Sequence, residues 1–267
     1  MRITNNMLIG NMMQNLSTNL FKTQRYQNQL ATGKKIQTPS DDPIVASKAL
    51  KLRTDVSEIQ QYKRNTDDAV SWMEITEATM GQMNEVYHRF RELTVQAANG
   101  TNTADDLSKI EAEVKQLKSQ MINLSNATYA GRYIFSGYKT DKPLMDDTGV
   151  FNIDIDNAEE IRFEIGIGDD ININVTGSDL LNGGISGIGG TTKSSAIDTF
   201  DQVIAALQAD DKLALSGLIG DVDTDLNNLL RVRSGLGARM NRVELTANRL
   251  DEDNVNFTKL MSKNEDV

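Results

Sequence analysis

The 267-residue chain contains no cysteine, which removes disulfide frameworks, thiolate zinc sites and cysteine nucleophiles together. It has a single histidine, so a Ser-His-Asp triad or a two-histidine metal site would have to run through His88. A basic excess is also missing: 28 Lys plus Arg stand against 38 Asp plus Glu, a formal net charge of −10. Such a chain has little with which to neutralise a phosphate backbone or hold an anionic headgroup layer, which argues against nucleic acid and membranes as partners. Aromatic residues make up 5% and apolar residues 39% of the chain, lean for a thick core and suited to thin, elongated packing. No apolar run exceeds residues 203–207, far short of the roughly 20 residues that span a bilayer. Residues 1–20 lack the basic start, continuous apolar middle and small-residue cleavage site of a secretory signal, so export, if any, uses another route.

Proline is nearly absent, confined to Pro39, Pro43 and Pro143, which leaves two long stretches free to be helical. Ile9, Met12, Leu16, Leu20, Tyr26 and Leu30 mark a weakly amphipathic first helix from about Asn5 to Ala31. Turn formers follow over residues 32–42, ending in Asp42-Pro43, a carboxylate cap before a proline at the first helical position. A helix from Pro43 then carries Leu52, Val56, Ile59, Thr66, Val70, Met73, Met80, Met83, Tyr87, Phe90 and Ala97 at 3-4 spacing, broken by Lys63 and Glu77, and stops at Asn99-Gly100. Thr103 to Asp106 reads as a capping box for a helix extending to Gly131.

The period then changes to two. Phe151, Ile153 and Ile155, then Ile161, Phe163, Ile165 and Ile167, then Ile171, Ile173 and Val175 predict three half-buried strands in a meander. A glycine-rich loop over residues 182–190 leads to a helix capped by Ser195. The last helix has the most regular heptads: Leu226, Leu229, Arg233, Leu236, Met240, Val243, Ala247, Leu250, Asn254, Phe257 and Met261 are apolar except Arg233 and Asn254. Such a seam requires a partner helix, and the one starting at Pro43 is the natural choice. The expected fold is mainly α with a small β insert: a long antiparallel coiled-coil rod plus an outer antiparallel β domain.

Three motifs imitate chemistry without completing it. Asp221, Asp223 and Asp225 open like a calcium loop, but Leu226 stands where glycine is needed and Val232 where a bidentate Glu is needed. Residues 187–194 end in Lys193-Ser194 like a phosphate loop, with Thr192 in place of the required glycine. His88 has no second ligand at i+4, and Met73, Met80 and Met83 read as core filling an irregular seam. No catalytic, cofactor or metal constellation is expected, and an enzyme or a pore-forming coiled coil finds no support in the sequence.

Several segments resemble a known family. Met1-Arg2-Ile3-Thr4-Asn5, Leu30-Ala31-Thr32-Gly33-Lys34-Lys35-Ile36, residues 91–101 and Arg239-Met240-Asn241-Arg242-Val243-Glu244 are similar to the flagellin superfamily of bacterial flagella. Pro39-Ser40-Asp41-Asp42-Pro43 and Tyr133-Ile134-Phe135-Ser136-Gly137 look more like its hook-associated protein 3 branch, found at the hook–filament junction, than like flagellin, the alternative. The resemblance implies a non-enzymatic subunit without cofactor that leaves the cell through the flagellar type III apparatus and self-assembles into a ring, with hook-associated protein 1 and flagellin as neighbours. It also implies residues 1–42 as terminal helix and linker, residues 43–140 and 191–267 as the rod, and residues 141–190 as the outer insert. Ile9, Met12, Leu16, Leu20 and Leu30 would then meet neighbouring subunits, and Gly33, Pro39, Asp41, Asp42 and Pro43 would form the linker. Leu229, Leu236, Met240, Val243, Leu250 and Phe257 would make the rod seam. Similar proteins continue into a further amphipathic helix after Asn264-Glu265-Asp266-Val267, the expected site of an export chaperone and the partner of the first helix.

Overall fold

A computed structural model describes residues 5–36, 38–99, 102–156, 158–183 and 192–266, with only the backbone given for residues 5 and 6. Among these residues the helices α1 (Asn5–Thr32), α2 (Pro43–Ala98), α3 (Ala104–Ser125), α4 (Gly177–Leu181), α5 (Ser195–Gln208) and α6 (Lys212–Glu265) are joined by β1 (Thr128–Tyr129), β2 (Arg132–Tyr133), β3 (Arg162–Gly166) and β4 (Asp169–Asn172). Among the described residues 71% are helical, and there are two antiparallel hairpins, β1–β2 and β3–β4. The Gly100 end of the helix stop, Asn157 and most of the glycine-rich loop, residues 184–191, lie outside the described residues.

The chain divides into two compact units, residues 1–63 with 248–267, and residues 64–247. In the larger unit α2 and α6 run antiparallel, for Glu77 meets Arg233 while Arg91 meets Asp223. Met73, Met80, Met83, Tyr87, Phe90 and Leu93 are buried along α2 and Leu226, Leu229, Leu236 and Val243 along α6, as the 3-4 spacing requires of two helices facing each other. α5 closes the core by stacking Phe200 on Phe90. Two threonines on the buried stripe are satisfied within the helix: Thr76 and Thr94 donate their hydroxyls to the carbonyls of Trp72 and Phe90, each at 2.8 Å.

Helix boundaries follow their caps. Asp42 Oδ1 accepts from the N–H groups of Ile44 and Val45, both at 3.1 Å, and Asp211 does the same for Leu213 and Ala214. Thr103 and Asp106 complete the capping box of α3.

Three sequence expectations change. α3 ends at Ser125 rather than near Gly131, because Asn126 turns outward to grip the Met145 backbone through both its amide atoms, at 2.9 and 3.1 Å. Ala130 (φ 49°) and Gly131 (φ 77°) then form the tight turn of the β1–β2 hairpin. The strand expected at 151–155 does not form. Phe151, Ile153 and Ile155 alternate into the core as foreseen, but the Phe151 and Asn152 N–H groups go to the carbonyls of Thr192 and Leu144 instead of to a ladder. α5 is preceded by Ser194 as its cap residue, and Ser195 is the first helical residue, its N–H bonded by the Asn182 side chain at 2.9 Å.

The β1–β2 hairpin region and the insert share the core of the larger unit. Trp72 meets Tyr129 edge to face, 5.9 Å between centroids, and Ile134, Phe135, Leu144 and Ile165 are buried. The polar edge of α6 holds the insert from the side: Arg239 Nη1 donates to the carbonyls of Asn172 and Asn174, and Arg242 pairs with Asp169.

Candidate assembly surface

α1 presents the first part of the surface. Ile9, Met12, Leu16, Leu20 and Leu30, the residues expected to meet neighbouring subunits, are each more than half exposed, as are Met7, Leu8, Met13, Phe21 and Tyr26. Covering each leucine-sized side chain would be favourable by roughly 1.5–3 kcal/mol, which makes the exposed apolar residues of α1 a candidate contact surface.

The linker is built to hold that helix. Gly33 adopts φ 67°, a left-handed conformation that glycine takes without a Cβ penalty, and it turns the chain out of α1. Asp41 Oδ2 accepts from the Thr38 N–H at 3.0 Å, closing the turn around Pro39, and Asp42 then caps α2 at Pro43. On the other side of the turn, the Lys35 N–H donates to the Glu265 carbonyl at 2.6 Å, and Lys34 pairs with Asp266 in an isolated antiparallel bridge.

Glu265 is the centre of the smaller unit's electrostatics. Its carboxylate lies 2.5 Å from Arg53 Nε and 3.3 Å from Lys34 Nζ, with only 9% of the side chain exposed. The hydrogen bond from Arg53 is the main reason its carboxyl is held below the ordinary carboxylate range; burial opposes this and Lys34 reinforces it. Sequence reading missed the role of Glu265, Arg53 and Lys34, since nothing local marks three charges 212 and 231 residues apart as partners.

The proposed seam falls in both units. In the larger, Leu229, Leu236 and Val243 are buried and Met240 half-buried; in the smaller, Leu250 is buried and Phe257 half-buried. The acidic run does not converge on one point: Asp223 pairs with Arg91 at 2.5 Å, whereas Asp225 is half-buried with its Oδ2 buried and lacking a hydrogen-bond partner. His88 is exposed. Among the described residues, no three His, Asp or Glu side chains are grouped as a metal site would need.

Residues 3–140 match the bacterial flagellin N-terminal helical region. The chain belongs to the flagellin family. Flagellar hook-associated protein 3 of Escherichia coli is 30% identical over 261 residues, covering 91% of this chain and 81% of that protein. Flagellin of Bacillus subtilis is 28% identical over 273 residues, covering 100% of this chain and 88% of that protein. Among solved structures, FlgL of Bacillus cereus shares the fold with a TM-score of 0.65 at 24% identity, covering 79% of this chain and 99% of that one. This flagellin family member is therefore a structural component of the bacterial flagellum.

Proposed function

We propose that the chain is a subunit of the junction between hook and filament, held there by helix packing without a catalytic step. The observation that carries the reading is the set of exposed apolar residues spread along α1 from Met7 to Leu30, a helix joined to the rest of the smaller unit by a linker fixed at both sides. Its likeness to hook-associated protein 3 supports the junction over the filament. So does the Tyr133 to Gly137 segment, which lies at the edge of the rod and packs on the insert: Phe135 and Ser136 are buried, the Ser136 hydroxyl donates to the Lys142 carbonyl, and the Phe135 carbonyl accepts from the Gly177 N–H.

In this reading residues 1–42 form the assembly element, residues 43–140 and 191–267 the rod, and residues 141–190 the outer insert. Copies close into a ring by burying Ile9, Met12, Leu16, Leu20 and Leu30 against one another, with hook-associated protein 1 on one side and flagellin on the other. The subunit reaches the outside through the flagellar type III apparatus.

Deleting the gene tests this directly. Electron microscopy should show hooks without filaments, with flagellin shed unpolymerised into the medium. Filaments that persist in the deletion strain would remove the junction assignment, and a medium without any flagellin would identify the chain as the filament subunit itself.

A further inference from the structure

Residues 33–36 leave α1 and lie against the last turn of α6, where they are fixed by both main-chain and side-chain bonds. The main-chain part is the Lys35 N–H to Glu265 carbonyl bond at 2.6 Å and the Lys34–Asp266 bridge. The side-chain part is the Glu265 carboxylate: Oε2 accepts from Arg53 Nη2 of α2 at 2.7 Å and lies 3.3 Å from Lys34 Nζ of the linker, while Oε1, which has no hydrogen-bond partner, makes an ion-pair contact with Arg53 Nε at 2.5 Å. Gln29, in the last turns of α1, adds a bond from its Nε2 to the Lys35 carbonyl at 2.9 Å. Beside this junction Ile36, Pro39, Ala46, Ala49 and Leu50 line a small cavity of about 110 Å³ whose polar lining is Thr38, Arg53 and Glu265.

Two physical points follow. The charge-assisted bond from Arg53 Nη2 to a carboxylate that is largely shielded from water is stronger than a pair exposed on both sides, even with the Arg53 side chain half exposed. Removing the carboxylate also leaves Arg53 and Lys34 facing each other as like charges across the linker. The linker's position is therefore set by a residue more than 200 positions away in the chain.

We infer that Glu265 is the positioning residue of the N-terminal linker: residues 33–36 dock, and α1 takes its direction from the smaller unit, only when the last turn of α6 is formed. The two distant segments of the chain are thereby coupled. Unwinding one turn of α6 releases the linker, and a linker pulled out of place frays that turn, since the coupling is reciprocal. This inference concerns the chain's own folding and does not depend on whether the subunit serves the junction or the filament.

The test is hydrogen exchange at the Lys35 amide together with trypsin cleavage after Lys34 and Lys35, in the full chain and in Glu265→Gln, Arg53→Gln and the double variant. Glu265→Gln should speed both about tenfold, as for a local opening, while amides at Leu236 and Val243 keep their parental protection. The double variant should be slower than the product of the two single effects, because both substitutions disable one clamp. Lys34→Gln, which leaves Arg53 on Glu265, should give a smaller increase at the Lys35 amide. Exchange within twofold of the parent in Glu265→Gln would overturn the inference. Multiplicative effects in the double variant, or protection lost equally at Leu236 and Val243, would overturn it as well.

Discussion

Arg233 donates to the Glu77 carboxylate through both Nε, at 2.8 Å, and Nη2, at 2.5 Å. Each residue breaks the apolar pattern of its own helix, and the two breaks meet. A charge at a seam position normally weakens a helix pair while fixing its register, because only one alignment gives it a partner. Within the smaller unit Lys63, the other break in α2, likewise pairs with Asp251.

A double-mutant cycle on Glu77→Ala and Arg233→Ala should therefore show coupling of about 0.5–3 kcal/mol in urea unfolding, the range for residues sharing one network. Both side chains are about one-third exposed, so the lower half of that range is expected. Strictly additive losses would mean that the pair is incidental and that the apolar seam alone sets the alignment of α2 and α6 in the larger unit.

The seam itself should dominate stability. Leu236 is fully buried, and Leu236→Ala should cost ~2–5 kcal/mol by lost transfer energy plus a residual cavity. His88 is exposed, so His88→Ala should stay within ~0.5 kcal/mol. The comparison is a pair of unfolding midpoints at equal m-value; similar shifts for the two would show that the heptad frame on α6 is misplaced.

Much of this architecture was legible because helical period and capping are local. Asp42-Pro43, Thr103 to Asp106 and the 226–261 spacing each announced their element within a few residues. The insert was legible by face but not by partner: Phe151, Ile153 and Ile155 point inward as the alternation required, yet which backbone groups they bond depends on Leu144 and Thr192, which no period reveals. The α3 terminus was misjudged for a related reason, since Leu124 and Thr128 keep helical spacing while Asn126 is drawn to the Met145 backbone. In the assembly surface, the exposed residues of α1 were readable as a stripe. The Lys34–Glu265–Arg53 clamp was not, because a long-range ion pair has no sequence signature.

Asp225 should impose a pH dependence opposite to that of an ordinary paired carboxylate. Burial is the main reason its carboxyl is pushed up to about 6; the Thr199 hydroxyl opposes the shift and Asp221 adds to it. A carboxyl whose folded pKa exceeds its unfolded value binds its proton more tightly when folded. Its contribution to stability is thus present at low pH and lost as pH rises from about 4 through about 6. Asp225→Asn, which stays neutral, should be more stable than the parent at pH 7.5, and the advantage should shrink towards pH 4.5. Thermal melts at the two pH values check this, and an advantage that grows on acidification would show that Asp225 is stabilised as an anion.

The α1 face offers a separation of folding from assembly. Leu16 and Leu20 are both more than half exposed within the chain, so replacing them with Glu removes no buried contact there. The Leu16→Glu, Leu20→Glu double variant should melt within about 0.5 kcal/mol of the parent, as surface changes do. In a ring of neighbouring subunits the same two positions would be covered, and each would bring an unpaired carboxylate into an apolar seam, where desolvation is costly. The variant should therefore be made and folded normally yet fail to restore filaments when supplied to a deletion strain, whereas Leu16→Met with Leu20→Met, of similar volume and still apolar, should restore them. Filaments restored by the Glu variant would show that α1 assembles through some other face, and the exposed stripe from Ile9 to Leu30 would lose its proposed role.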